Sequence, residues 1–99
     1  MPVLTLHEPE FYQVIATQMD RKMIDYTLMY FYHLESTESI QLAVTNEKVR
    51  KRFILSEDDL KEIVIEYVVQ KIKRPVRTVQ LLYVKTSKDG DNFRAKVLV

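Results

Sequence analysis

Leu6-His7-Glu8-Pro9-Glu10-Phe11 and Leu55-Ser56-Glu57-Asp58-Asp59-Leu60, at an offset of 49, open two stretches of one pattern. The likeness continues through Val14, Ile15 and Met19 over Ile63, Val64 and Val68 at the same offset. Beyond the helical stretches, Tyr26-Thr27-Leu28-Met29-Tyr30-Phe31 lies over Val79-Gln80-Leu81-Leu82-Tyr83-Val84, and Ile40-Gln41-Leu42-Ala43-Val44 over Phe93-Arg94-Ala95-Lys96-Val97, both at an offset of 53. A four-residue insertion near Lys73-Arg74-Pro75-Val76 reconciles the two offsets. Internal repetition of this kind sets the architecture of the whole chain.

Each copy opens with helix signals. Ser56 followed three residues later by Asp59 is close to a capping box, and Glu57, Asp58 and Asp59 place negative charge where first-turn amides are exposed. Leu60, Ile63, Val64, Tyr67, Val68 and Ile72 then recur at helical spacing, which predicts a helix over about 57–73 that Pro75 terminates. In the first copy Pro9 is tolerated in the opening turn, and Phe11, Val14, Ile15, Met19 and Met23 form the stripe of a helix over about 8–22.

Two strands should follow each helix. Asp89-Gly90, a strong hairpin signal, stands between candidate strands over 78–86 and 93–99. The matching turn of the first copy, residues 35–39, has no glycine. Short apolar runs at Val3-Leu4-Thr5-Leu6 and Phe53-Ile54-Leu55 could add a brief strand before each helix. The expected fold is therefore α+β: a tandem duplicated αββ unit (αββαββ) forming a four-stranded antiparallel sheet with two helices on one face. The chain of 99 residues is sized for one domain, with copy one at about 3–46, a linker at about 47–52 and copy two at about 53–99.

Composition excludes several chemistries. There is no cysteine, so disulfides, thiolate nucleophiles and cysteine metal sites are ruled out. The only glycine is at the hairpin turn, so glycine-rich phosphate loops are absent. His7 and His33 stand beside no nucleophile in a recognisable motif, and the acidic residues of the second helix complement its N-terminus. No cofactor is expected, and no enzyme. The N-terminal residues from Met1 to Glu8 lack a secretory signal pattern and no 18 apolar residues run together, which suggests a cytoplasmic protein.

The net charge of +1 conceals an asymmetry: residues 1–46 carry two basic and six acidic side chains, residues 47–99 thirteen basic and eight acidic. Arg50, Lys51 and Arg52 between the copies, with Lys73, Arg74 and Arg77 after the second helix, could form a phosphate-binding surface, which makes a small nucleic-acid-binding regulator the alternative reading. The leading reading rests on the first strand of each copy, which is apolar on both faces. Strands of that kind are usually covered on both sides, so a homo-oligomer or another protein partner should cover the spare face through Met29, Tyr30, Phe31, Leu82 and Val84. Residues 54–99, with Ile54-Leu55-Ser56-Glu57-Asp58-Asp59-Leu60, Val79-Gln80-Leu81-Leu82-Tyr83 and Phe93-Arg94-Ala95-Lys96-Val97, resemble the helix-hairpin pattern of short uncharacterised proteins from Bacillus-type bacteria. The resemblance implies a bacterial origin and carries no functional residue.

Overall fold

A computed structural model describes residues 3–88 and 90–99. The order of elements is β1 (Val3–Leu6), α1 (Glu8–Arg21), β2 (Leu28–Leu34), β3 (Ser39–Asn46), β4 (Lys51–Leu55), α2 (Glu57–Ile72), β5 (Thr78–Tyr83) and β6 (Phe93–Leu98). The molecule is α+β, but its strands form two three-stranded antiparallel sheets, β1-β6-β5 and β2-β3-β4, and not one sheet of four. The four-stranded arrangement fails because the β2-β3 and β5-β6 hairpins do not pair with each other; each takes one of the short apolar runs before the helices, β4 or β1, as its third strand. No helix among the described residues is long and apolar enough to cross a membrane.

The repeat is interleaved. β1 belongs to the first copy yet pairs with β6 of the second, while β4 of the second pairs with β3 of the first. Leu6 faces Ala95 and Leu55 faces Leu42, so the offsets of 49 and 53 convert one pairing into the other, and they do so along the whole of β1. The β2 strand follows a different offset: Phe31 faces Leu42 as Leu81 faces Ala95, a shift of 50. Leu28 to His33 therefore matches Thr78 to Tyr83, a correction of three residues. Of the four inserted residues, one lies by the end of the helix and three lie in the second hairpin.

The helix ends agree with this division. Met23 (φ 57) and Lys73 (φ 55) are both left-handed and lie 50 apart. After α1, the Ile24 amide reaches back to the Met19 carbonyl at 2.9 Å, closing the exit turn. At the other end of α2, Ser56 and Asp59 complete the capping box: each side chain accepts the other's amide, at 3.3 and 3.1 Å. α1 starts at His7, whose side chain caps nothing. Its free amide at Glu8 donates instead to Asp91 of the second hairpin, at 3.3 Å.

Residues related by the repeat touch each other at two places, which puts the pseudo-twofold axis there. His33 stacks on Tyr83 with centroids 4.4 Å apart, and Arg21 donates to Gln70 between the helices. The first-turn glutamates are also symmetric. Glu57 accepts the Ile40 amide at 2.7 Å, and Glu8 accepts those of Asn92 and Phe93 at 3.2 Å each. Each helix start thus holds the hairpin of the opposite copy. One core joins both copies, including Phe11, Ile15, Leu42, Leu60, Val64 and Val97.

The second hairpin is looser than Asp-Gly alone suggests. β5 ends at Tyr83 and β6 begins at Phe93; beyond them the Val84 amide donates to the Asn92 carbonyl at 2.7 Å and the Asn92 side-chain amide donates to the Val84 carbonyl at 2.8 Å. Gly90 has φ 86, as a left-handed turn position demands; Asp89, together with Met1 and Pro2, lies outside the described residues.

Candidate protein-interaction surface

Strand alternation sorts each sheet into two faces. In β2-β3-β4 the row Phe31, Leu42 and Leu55 faces the helices, and the adjacent row Tyr30, Ala43 and Ile54 faces away. Tyr30 and Ile54 are 39% and 41% exposed, and Leu28, in the next row of the same face, is 50% exposed. Ala43 between them is fully buried although it points away from the helices, so its longer cross-strand neighbours roof it. Tyr32 continues the face, 6.2 Å from the Tyr30 ring, and donates to Gln41 Oε1 at 2.5 Å. Arg52 donates to the Tyr30 hydroxyl at 3.0 Å, which orients the ring and leaves its apolar body presented.

The equivalent row in the other sheet is Gln80, Lys96 and Thr5. The same positions of the same fold are polar there. Apolar residues in this central row are therefore not something the architecture requires, although Val3, Leu98 and Leu82 keep the flanking rows of the other sheet partly apolar.

The residues expected to form the spare face divide between surfaces. Phe31 is only 6% exposed and belongs to the core, with its ring 4.5 Å from Phe11, 4.6 Å from Tyr12 and 5.3 Å from Phe93. Met29 lies on the same inward face, half-buried against the core. Tyr30 alone of the three β2 residues faces out. Leu82 is half-buried on the outer face of the other sheet, in register with Arg94, and Val84 lies beyond the end of β5. These five do not make one surface. Leu28, Tyr32 and Ile54 belong to the apolar face and were not foreseen there; the alternation of Leu28, Tyr30 and Tyr32 was the signal that could have found the first two.

The six basic residues are all exposed and split between two elements. Arg50, Lys51 and Arg52 occupy the β3–β4 turn and the start of β4, whereas Lys73, Arg74 and Arg77 lie between α2 and β5. Arg77 donates its amide to the Leu98 carbonyl at 2.8 Å. No hydrogen bond or ion pair among the described residues joins the two groups.

A polar cluster gathers at the second hairpin. Asp91 receives Arg94 at 2.9 Å and the Glu8 amide at 3.3 Å, and lies 3.1 Å from His7 Nδ1. Desolvation works to raise the Asp91 carboxyl, but the Arg94 hydrogen bond, the Glu8 amide, His7 and the Arg94 charge together outweigh it and hold the group below its ordinary range. With every oxygen engaged in holding α1 to the hairpin, the cluster reads as structural. No protein-family model, curated protein or solved structure matches this chain.

Proposed function

We propose that this protein is a non-enzymatic interaction module that self-associates about a twofold axis through the outer face of β2-β3-β4. The observation that carries the reading is the divergence between copies: Tyr30, Ala43 and Ile54 stand where the other sheet has Gln80, Lys96 and Thr5. Exposed apolar side chains are individually ordinary, but a central cross-strand row that is apolar on one of two equivalent sheets and polar on the other, with exposed Leu28 and half-buried Tyr32 flanking it, supports a contact surface. A twofold contact presents the same patch from both sides, and this patch offers two tyrosine rings to fill space, with Arg52 and Gln41 as hydrogen-bonding groups beside them. Tyrosine and arginine are the residues that most often anchor such interfaces.

The test is sedimentation velocity from low to high micromolar concentration on the native chain and on the double variant Tyr30→Lys with Ile54→Lys. The native chain should sediment as a dimer at the upper end and the variant as a monomer, with the cooperative unfolding of the variant retained. A monomeric native chain throughout contradicts the reading.

A further inference from the structure

β1 and β4 are equivalent strands at outer sheet edges, and they differ in a way that matters for what can dock there. Edge strands turn every second amide and carbonyl away from their partner, and proteins commonly guard them with charge. β4 begins with Lys51 and Arg52; β1 is Val3-Leu4-Thr5-Leu6 and has no charged residue. Val3 and Leu4 are 52% and 40% exposed.

Two cavities adjoin this unguarded edge. One, of about 440 Å³, is lined by Val3, Leu4, Ile72, Arg74 and Val99. The second, of about 290 Å³, has Leu4, Leu6, Glu10, Tyr67 and Lys71 among its walls. Leu4 is common to both, so they follow one another along the strand. A strand laid beside β1 directs alternate side chains toward the helices, with neighbours on that side roughly 7 Å apart, the arrangement needed to seat two consecutive inward side chains in two adjoining cavities.

The surrounding charge selects the occupant. Arg74 stands in the otherwise apolar wall of the larger cavity with Lys73 beside it in sequence, whereas in the smaller cavity Glu10 offsets Lys71, so the positive charge is concentrated at the Arg74 end of the edge. Lys73 and Arg74 form no ion pair among the described residues. A second copy docking through its own β1 would bring the same cations and no carboxylate within the strand.

We propose that β1 is a docking edge for an extended segment of a partner protein, apolar at its centre and acidic at the flank that reaches Arg74, which adds as a fourth strand to β1-β6-β5. Its alternate apolar side chains fill the two cavities, its backbone pairs with the free edge, and a flanking carboxylate meets Arg74. This is the strand-addition mode of peptide recognition, in which main-chain bonds give affinity and pockets give selection. It is separate from self-association, which uses the other sheet.

The test uses a fluorescein-labelled decapeptide with a core of alternating valine and leucine and two aspartates at each end, and a second peptide with the same core flanked by lysines. Fluorescence polarisation is read with the native chain, Arg74→Glu and Tyr30→Lys, and ¹⁵N-resolved amide shifts locate the contact. The aspartate-flanked peptide should bind, with shifts concentrated on Val3 to Leu6, Arg74 and Val99. Arg74→Glu, folded by the criterion of unchanged thermal unfolding, should weaken it at least tenfold, and Tyr30→Lys should bind as the native chain does. The proposal is overturned by equal binding of the two peptides, by no binding at millimolar concentration, by indifference to Arg74→Glu, or by shifts on the Tyr30 and Ile54 face. Competition by a single-stranded oligonucleotide as effective as the acidic peptide also overturns it, since Arg74 would then belong to a phosphate-binding surface.

Discussion

Tyr12 ties α1 to β2 through one hydrogen bond: its hydroxyl accepts the Phe31 amide at 2.8 Å, on the side of β2 that has no neighbouring strand. Desolvation raises the Tyr12 pKa against the opposing effect of that amide, with Glu8 adding to the rise, so the group stays neutral until strongly alkaline pH. Tyr12→Phe removes the acceptor of a buried amide and should cost about 1–3 kcal/mol in urea unfolding; a change within error would mean that water replaces the hydroxyl. At the α1 exit, Met23 is 90% exposed and left-handed, a conformation that side chains disfavour and glycine accepts freely. Met23→Gly should therefore stabilise the fold by about 0.5–1 kcal/mol, seen as a higher urea midpoint with an unchanged slope. Asp91 supplies a pH dependence. Because its folded pKa is depressed, its contribution is present above the ordinary carboxylate value of about 4 and is lost as pH falls through the folded value. Stability of the native chain should thus decline more steeply below pH of about 4 than that of Asp91→Asn; parallel acid profiles would remove Asp91 from the account.

At the scale of elements, both helices and their starts were legible. The capping residues around Ser56 and the apolar stripes fix them within a residue or two of Glu8–Arg21 and Glu57–Ile72. The face of β2 was not legible, and the reason is physical. A shift by an odd number of residues exchanges the two faces of a strand, and a pattern of hydrophobicity resists that shift only if one face is polar. In β2, Met29 and Phe31 on one face and Leu28, Tyr30 and Tyr32 on the other are all apolar or aromatic, so the offset of 53 fitted as well as the true 50. Nor could local pattern show that β1 and β4 exchange partners between copies, since pairing is decided by the short β3–β4 turn that returns β4 beside β3. In the candidate surface, Tyr30 could be read from the sequence and Ile54 could not, because its place beside Ala43 depends on that exchange. Replacing core Phe31 by Ala should cost about 3–5 kcal/mol, whereas Ile54→Lys on the outer face should leave the urea midpoint nearly unchanged; similar losses at both sites would contradict the assignment of faces.

For the whole molecule, interleaving makes each copy dependent on the other. Each sheet takes its outer strand from one copy and its hairpin from the other, and each first-turn glutamate holds the opposite hairpin. Chains of residues 1–46 and 47–99 should each lack a cooperative unfolding transition by circular dichroism and recover it on equimolar mixing; cooperative unfolding of either piece alone would contradict the exchange. That dependence leaves the outer sheet faces free to differ, and their central rows do: Tyr30, Ala43 and Ile54 in one sheet against Gln80, Lys96 and Thr5 in the other. Whether the apolar face meets itself can be read directly from an isotope-filtered nuclear Overhauser spectrum on a mixture of labelled and unlabelled chains. The account predicts intermolecular contacts from the Tyr30 and Tyr32 rings to the Ile54 and Leu28 methyl groups. Their absence at a concentration where the chain is dimeric, or contacts confined to β1, would contradict it.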